Sequence, residues 1–223
     1  MTLRAVLIDL DGVIRLWHDA YDDGLMAATG LTIETIGRIA FAEDLLPLAV
    51  TGQISDGEWR DRVRDRLVAT NPAIDGRAAV AAWSRPIGRV NEPVLKLVAE
   101  WRERAAVALI TNATSRLPDD LAALGLTQAF DVIINSSAIG VAKPDPAIFR
   151  YTLEQLGVLP GDALFIDDTA SHIAAARDVG LAAFHFTGDG DRLRAFVANW
   201  LDRSRGEAGT DSGAEHSASF RKP

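Results

Sequence analysis

The sequence predicts an α/β fold built on a doubly wound parallel sheet, with a small all-helical domain inserted after the first strand. Three apolar runs, at residues 5–8, 106–110 and 163–166, predict strands that are buried on both faces. Segments with helical periodicity separate the later runs, and strands that alternate with helices form parallel sheets. Residues 17–83 lack strand-like alternation, so this insertion is predicted to be helical.

Local signals set the ends of the helices in the insertion. Ser55 and Glu58 have the spacing of a capping box and open the helix that carries Trp59. Gly30 is a C-terminal stop for the first helix, and Pro47 ends the second. The predicted helices cover residues 20–29, 32–46, 59–69 and 75–83.

The alternation of strands and helices resumes at Pro93, which suits the first turn of a helix. Gly125, Gly157 and Gly180 each follow a segment of helical periodicity and predict helix ends. The predicted helices are 93–104, 118–124, 146–156, 169–179 and 191–201, and the predicted strands are 106–111, 132–135, 163–166 and 182–186. Residues 204–223 are rich in Gly, Ser, Ala and charge, which predicts a disordered tail.

Composition argues against several classes of function. The formal net charge is −8, which disfavours nucleic acid or an anionic membrane surface as the main partner. Without cysteine the chain has neither disulfides nor thiolate metal sites. The first residues lack the pattern of a signal peptide, and no apolar run approaches the length of a membrane-spanning helix. We therefore expect a cytoplasmic protein.

Paired carboxylates follow the first strand. Asp9 and Asp11 lie two residues apart at its carboxyl end, and Gly12 permits a sharp turn after them. A buried carboxylate costs several kcal/mol unless it is compensated, so two at this position predict a bound cation. Open α/β sheets also place their active sites at this end of the strands. By itself, however, the Asp-x-Asp-Gly pattern is typical of an ordinary turn.

Further polar motifs stand in order along the chain: Thr111 with Asn112, Lys143, and Asp167 with Asp168. The first and last of these follow apolar runs directly, as the paired carboxylates do. With those carboxylates, the set resembles the four signature motifs of the haloacid dehalogenase-like (HAD) hydrolase superfamily, over roughly residues 4–188. Four motifs in the family's order are far more specific than any one of them.

The resemblance implies a role for each motif. Asp9 would be the nucleophile that forms an aspartyl-phosphate, and Asp11 would serve as general acid and then as general base. The phosphate would be bound by Thr111, Asn112 and Lys143. Mg²⁺ would be held by Asp9, the Asp11 carbonyl, Asp167 and Asp168.

The resemblance also implies the division of the chain and the class of substrate. Residues 1–16 and 85–203 would form the α/β core, and residues 17–84 a helical cap. HAD members with two aspartates in the first motif are mostly phosphatases and phosphomutases. The implied function is therefore Mg²⁺-dependent hydrolysis of a small phosphomonoester such as a sugar phosphate, with a small phosphorylated metabolite as partner. A 2-haloacid dehalogenase and a catalytically silent HAD-fold binding protein are the alternatives.

Several residues outside the motifs have a structural interpretation that competes with a functional one. Trp59 and Trp83 are predicted to lie in the core of the helical insertion rather than to contact substrate. Arg15 could bind an anionic substrate but is also ordinary as a surface arginine in a loop. Trp17 and His18 could line the entrance of the site or could serve only packing or the surface. His172 is predicted to lie at the surface.

Overall fold

The structure is a computed structural model that describes residues 4–17, 25–27 and 29–207. Parts of the predicted helix 20–29, His18 and the predicted tail from residue 208 onward lie outside the described residues. The described chain up to Gly188 forms one compact unit. The residues from Asp189 belong to a second unit, whose described part, up to Glu207, contains one helix.

The secondary structure follows the predicted alternation. The strands are β1 (Ala5–Ile8), β2 (Arg15–Leu16), β3 (Arg89–Val90), β4 (Ala106–Thr111), β5 (Val132–Asn135), β6 (Ala163–Asp167) and β7 (Ala182–His185). The α-helices are α1 (Ile33–Ala40), α2 (Leu46–Val50), α3 (Asp56–Thr70), α4 (Gly76–Trp83), α5 (Glu92–Arg102), α6 (Leu117–Ala123), α7 (Ser136–Ile139), α8 (Pro146–Leu156), α9 (Ala170–Asp178) and α10 (Gly190–Glu207). Among the described residues, no helix is long and apolar enough to cross a membrane.

Five strands form a parallel sheet in the order β5-β4-β1-β6-β7, which confirms the predicted α/β class. β1 lies at the centre, and all of its residues are buried, as expected of a strand covered on both faces. Because the strands are parallel, their carboxyl ends meet at one edge of the sheet. Ile8 pairs with Leu109 of β4 and with Ile166 of β6, so the residues after β1 lie beside the ends of both neighbours.

Apolar residues of alternate faces of the strands anchor the flanking helices. On one face, Leu7 and Phe165 belong to a core cluster with Phe149 of α8 and Ile173 of α9. The rings of Phe149 and Phe165 meet edge to face, with centroids 5.1 Å apart. These contacts fix the sheet against two of the helices and so hold the strand ends in place.

The helical insertion has its own buried cluster. Ile36, Trp59, Val63 and Trp83 are among the buried residues that α1–α4 pack against one another, which confirms the prediction that the two tryptophans lie in this core. The capping box before α3 forms as predicted: Glu58 N–H donates to Ser55 Oγ, and Ser55 N–H donates to the Glu58 carboxylate.

The largest differences from the predicted boundaries concern two helices. The predicted helix 32–46 ends at Ala40, and a separate short helix begins at Leu46. The first helix is closed at Phe41, whose N–H donates to Gly37 O. Pro47 lies in the first turn of the new helix, which accepts proline because the N–H it lacks would have no partner there. At the other end of the chain, α10 continues to Glu207, beyond the predicted boundary at residue 203.

A two-residue antiparallel ladder was not predicted. β2 pairs with β3, so the segment that enters the helical insertion lies beside the segment that leaves it. Asn91 strengthens this crossing, because its side-chain amide donates to Val13 O and its backbone N–H donates to Ile14 O. The ladder is too short to give an alternating pattern, which is why the sequence does not reveal it.

We predict that Ser55→Ala lowers the free energy of unfolding by about 1 kcal/mol, because the first turn of α3 loses its side-chain cap. The measurement is urea denaturation followed by circular dichroism. Ser55→Thr keeps the hydroxyl and is the matched control, so it should lie much closer to the wild type. Equal losses in the two variants would show that the hydroxyl does not cap the helix.

Candidate active site

Three of the predicted site residues meet at the carboxyl edge of the sheet. Asp9 follows β1 directly, Thr111 is the last residue of β4, and Asp167 is the last residue of β6. All three side chains are buried. Asp9 N–H donates to Ile166 O, so the sheet pairing continues up to the first carboxylate and fixes its backbone.

Lys143 lies between the two buried carboxylates. Its ammonium nitrogen is 2.8 Å from Asp9 Oδ1 and 2.7 Å from Asp167 Oδ2, and the residue is 4% exposed. A buried ion pair needs such close partners, since the charges have lost their water. The lysine predicted from the Lys-Pro motif therefore does reach both strand ends.

Asn112 holds the backbone of this lysine. Its side-chain amide donates to Lys143 O at 2.7 Å, and Lys143 N–H donates to Asn112 Oδ1 at 2.8 Å. Asn112 was expected to supply a donor to a phosphate. Its side-chain amide is committed to the lysine segment, so the group that could serve a ligand is its backbone N–H.

The pKa values of Asp9 and Asp167 are shifted in opposite directions. Burial raises the pKa of Asp9 to about 6, against the opposing attraction of Lys143. For Asp167, burial is outweighed by the hydrogen bond to His172 and by the charge of Lys143, so its pKa lies below the ordinary value. Asp167 Oδ1 also accepts the Thr169 N–H at 2.7 Å, which favours the ionised form.

Asp168 completes an acidic cluster, and Gly12 makes room for it. A side-chain carbon on Gly12 would lie 1.8 Å from Asp168 Oδ2, and the φ angle of Gly12 is +76°. Both observations require glycine here, one by steric contact and one by backbone conformation. The paired carboxylates of the first motif thus need the glycine that follows them.

The acidic cluster consists of Asp9, Asp167 and Asp168. One carboxylate oxygen from each lies within 4.8 Å of the others, and this is the group of potential metal ligands that the described part of the chain contains. Three carboxylates with a single nearby lysine leave excess negative charge, and hard oxygen ligands suit Mg²⁺. The residues present therefore fit the predicted cation.

Asp11 is held away from this cluster by a basic partner. Its two carboxylate oxygens accept from Arg15 Nε at 2.7 Å and from a terminal Arg15 nitrogen at 2.8 Å, and Oδ1 also accepts from Trp17 Nε1 at 2.8 Å. A bidentate guanidinium contact is a strong, oriented ion pair.

Arg15 is not the surface loop arginine that the sequence suggested. It belongs to β2, is 5% exposed, and also donates to Asp120 at 3.0 Å. The pKa of Arg15 is raised because these two carboxylates outweigh its burial. Trp17 lies over the guanidinium, 4.8 Å from ring centroid to guanidinium carbon, and it lines the cavity described below.

His172 is likewise not a surface residue. Its side chain is 15% exposed, and its Nδ1 lies 3.0 Å from Asp167 Oδ2. α9 brings it there, because its first turn begins directly above the end of β6. The sequence offered one available signal, namely that His172 lies in the first turn after two motif carboxylates.

A cavity of about 640 Å³ opens above these groups. It is lined by the predicted motif residues Asp9, Asp11, Thr111, Asn112, Lys143 and Asp168, together with Gly12, Leu16, Trp17, Arg89, Thr169 and His172. Asp167 lies beneath the surface of this cavity, fully buried. The arrangement brings a buried carboxylate, an ammonium donor and a cluster of potential metal ligands into one small volume.

We predict that Asp9→Asn stabilises the metal-free protein at pH 8 but has little effect at pH 4. Its folded pKa of about 6 lies above the unfolded value, so the contribution of Asp9 to stability is present at low pH and is lost as pH rises through 6. The difference in free energy of unfolding between Asp9→Asn and the wild type should change by on the order of 3 kcal/mol between pH 4 and pH 8. Urea denaturation in EDTA at both pH values measures it, and parallel pH profiles would contradict it.

Two curated relatives cover most of this chain. A phosphatase of Mycobacterium tuberculosis is 27% identical over 206 residues, which are 82% of this chain and 87% of that protein. Bifunctional epoxide hydrolase 2 of Sus scrofa is 27% identical over 204 residues, which are 82% of this chain. The match spans only 36% of that longer enzyme's length.

Solved structures share the fold. A HAD family enzyme of Bacteroides thetaiotaomicron, solved with magnesium and inorganic phosphate, has a TM-score of 0.69 at 22% identity, covering 84% of this chain and 96% of that one. An L-2-haloacid dehalogenase has a TM-score of 0.65 at 18% identity, covering 89% of this chain and 100% of that one. These likenesses extend to the fold alone.

A family model also matches most of the chain. Residues 3–180 match the family described as haloacid dehalogenase-like hydrolase, which covers the whole sheet edge from Asp9 to Asp168. The chain therefore belongs to the haloacid dehalogenase-like hydrolases, and a phosphatase is among its relatives.

Proposed function

We propose that the protein is a Mg²⁺-dependent phosphatase that hydrolyses small phosphomonoesters through an aspartyl-phosphate on Asp9. The observation that carries this proposal is the arrangement at the sheet edge: Lys143 bridges Asp9 and Asp167, and Asp168 completes a carboxylate cluster beside them. This combination provides a nucleophile, a charge-neutralising donor and a cation site. Phosphatases among the relatives support it.

In the first step, the ionised Asp9 carboxylate attacks phosphorus, and the bond from phosphorus to the ester oxygen breaks. Lys143 and the Thr111 hydroxyl donate to the phosphoryl oxygens, whose negative charge must be balanced in the transition state. When bound at Asp9, the Asp11 carbonyl, Asp167 and Asp168, Mg²⁺ would neutralise further charge on those oxygens. Asp11 protonates the leaving oxygen as the alcohol departs.

In the second step, water attacks the phosphorus of the aspartyl-phosphate and releases Asp9. Asp11, now ionised, takes a proton from that water. In the structure both carboxylate oxygens of Asp11 accept hydrogen bonds from Arg15. To protonate the leaving oxygen, Asp11 must therefore turn from Arg15 towards it.

The helical insertion supports this function as a cap over the site. Asp56 N–H, at the start of α3, donates to Ser115 Oγ, and the Asp56 carboxylate accepts from the Thr114 hydroxyl at 2.8 Å, so the insertion contacts the loop that follows β4. We assign residues 17–84 to this cap and residues 1–16 and 85–203 to the core. A cap in this position excludes bulk water from the reacting groups.

A 2-haloacid dehalogenase is the competing function, since one structural neighbour has that activity. HAD dehalogenases usually lack the second aspartate of the first motif and need no metal. Asp11 and the cluster of Asp9, Asp167 and Asp168 therefore favour the phosphatase.

Turnover of nitrophenyl phosphate should depend on Mg²⁺ and should be abolished in Asp9→Asn. Without its carboxylate the site has no nucleophile, and acid–base groups alone do not replace it. The exposed variant Asp178→Asn is the control and should retain wild-type turnover. Undiminished activity in EDTA, or dehalogenation of 2-chloropropionate without phosphatase activity, would overturn the proposal.

Asp11→Ala should affect substrates unequally if Asp11 is the general acid. An alkoxide leaving group needs the proton far more than nitrophenolate does. The loss in kcat/KM should therefore be at least about tenfold larger for an alkyl phosphate than for nitrophenyl phosphate. We choose kcat/KM because it reports the first step. Equal losses would show that Asp11 holds structure or metal instead of donating a proton.

A further inference from the structure

A second cavity of about 680 Å³ adjoins the candidate active site. The two cavities share Asp11, Trp17 and Asn112 in their walls. A phosphoryl group beside Asp9 would therefore have its ester substituent directed either into solvent or into this second cavity. We name it the leaving-group pocket, lined by the described residues Phe41, Trp59, Trp83, Arg15, Arg60 and Arg116 among others.

One wall of the leaving-group pocket is aromatic. The ring centroids of Trp59 and Trp83 are 5.3 Å apart. The ring centroid of Phe41 lies 6.4 Å from that of Trp59 and 6.2 Å from that of Trp83. Trp59 Nε1 donates to Ala40 O, so this tryptophan has used its polar group within the insertion. The wall is completed by aliphatic residues of the insertion: Ile33, Leu46 and Val50.

Phe41 stands out within this wall. It is 56% exposed although it contacts two buried tryptophans. An exposed apolar ring that faces a cavity gains free energy when an apolar group covers it. The position therefore favours an apolar occupant.

The polar wall carries charges that are already paired. Arg60 Nε lies 2.6 Å from Asp56 Oδ2, Arg116 Nε lies 2.9 Å from Asp120 Oδ1, and Arg15 pairs with Asp11 and Asp120. The three arginines and three aspartates that line the pocket cancel in formal charge.

A ligand with a second phosphate or a carboxylate would have to displace one of these pairs. A sugar placed against the aromatic wall would leave hydroxyl groups there without hydrogen-bond partners. The neutral polar wall and the apolar wall thus disfavour both kinds of substituent.

We propose that the leaving-group pocket binds an uncharged, largely apolar alcohol moiety, so that the preferred substrates are phosphomonoesters of hydrocarbon or aryl alcohols. This inference rests on the proposed phosphatase function and narrows its substrate class. It replaces the sugar phosphate that the sequence suggested with a substrate whose ester substituent is covered by Phe41, Trp59 and Trp83.

The test is a series of straight-chain alkyl phosphates from ethyl to octyl, compared with glycerol 3-phosphate, glucose 6-phosphate and phosphoserine. All of these release poorly acidic alcohols, so differences in kcat/KM report binding of the substituent more than its reactivity. Each added methylene that is buried should raise kcat/KM up to about fourfold. Phenyl and naphthyl phosphates form the aryl arm and show whether planar or flexible groups fit better.

Phe41→Ala tests the pocket directly. Because Phe41 is exposed, we expect this variant to fold. It should lower kcat/KM for octyl phosphate at least about tenfold more than for glycerol 3-phosphate, because only the first substrate covers the ring. Phe41→Leu keeps an apolar side chain and should restore part of the preference. Tyr151→Ala removes a half-exposed aromatic residue of α8 outside the pocket and should leave the preference unchanged.

Inhibition by alkylphosphonates reports binding of an alkyl group that the enzyme does not have to cleave. Octylphosphonate should inhibit more strongly than methylphosphonate in the wild type, and Phe41→Ala should reduce that difference. Hydrolysis of the whole panel without a rise along the alkyl series, or with a preference for glucose 6-phosphate or phosphoserine, would overturn the pocket assignment and leave the phosphatase in place. Absence of hydrolysis of every phosphomonoester would overturn the proposed function, and the pocket assignment with it.

Discussion

A buried ammonium between two buried carboxylates is the interaction on which this site depends. Lys143 comes from a loop, whereas Asp9 and Asp167 stand at the ends of the two neighbouring central strands. Without the ammonium, two carboxylates with almost no solvent would face each other at the middle of the sheet edge. The reciprocal hydrogen bonds between Asn112 and the Lys143 backbone therefore matter for the whole site, because they fix the loop that supplies the compensating charge.

The fold and the residues of the sheet edge follow from short-range patterns. A continuous apolar run that ends in carboxylates identifies both a buried parallel strand and its functional end, as at Asp9 and Asp167. Capping signals such as Ser55 with Glu58 depend on residues three positions apart, so a short stretch of sequence is enough to predict them. Pro47 carries a local meaning too, but it is ambiguous, since proline both ends one helix and suits the first turn of another.

Arg15 and His172 could not be placed from the sequence for a different reason. The surroundings of Arg15 are set by Asp120, which is distant in the chain and is brought near by packing of α6. The contact between His172 and Asp167 depends on how α9 leaves the end of β6. Substrate preference belongs to the same class of property, because Phe41, Trp59 and Trp83 form one wall only after α1, α3 and α4 have packed together.

The short ladder between β2 and β3 gives the molecule a mechanical coupling. Both chain segments that join the helical insertion to the sheet pass through this ladder side by side. The backbone of Arg15 pairs with Val90 in this ladder, and its side chain donates two hydrogen bonds to the Asp11 carboxylate. A rotation of the insertion about this ladder would therefore move the Arg15 guanidinium and, with it, the Asp11 carboxylate. In the proposed phosphatase, the position of the cap and the orientation of the acid–base residue would then change together.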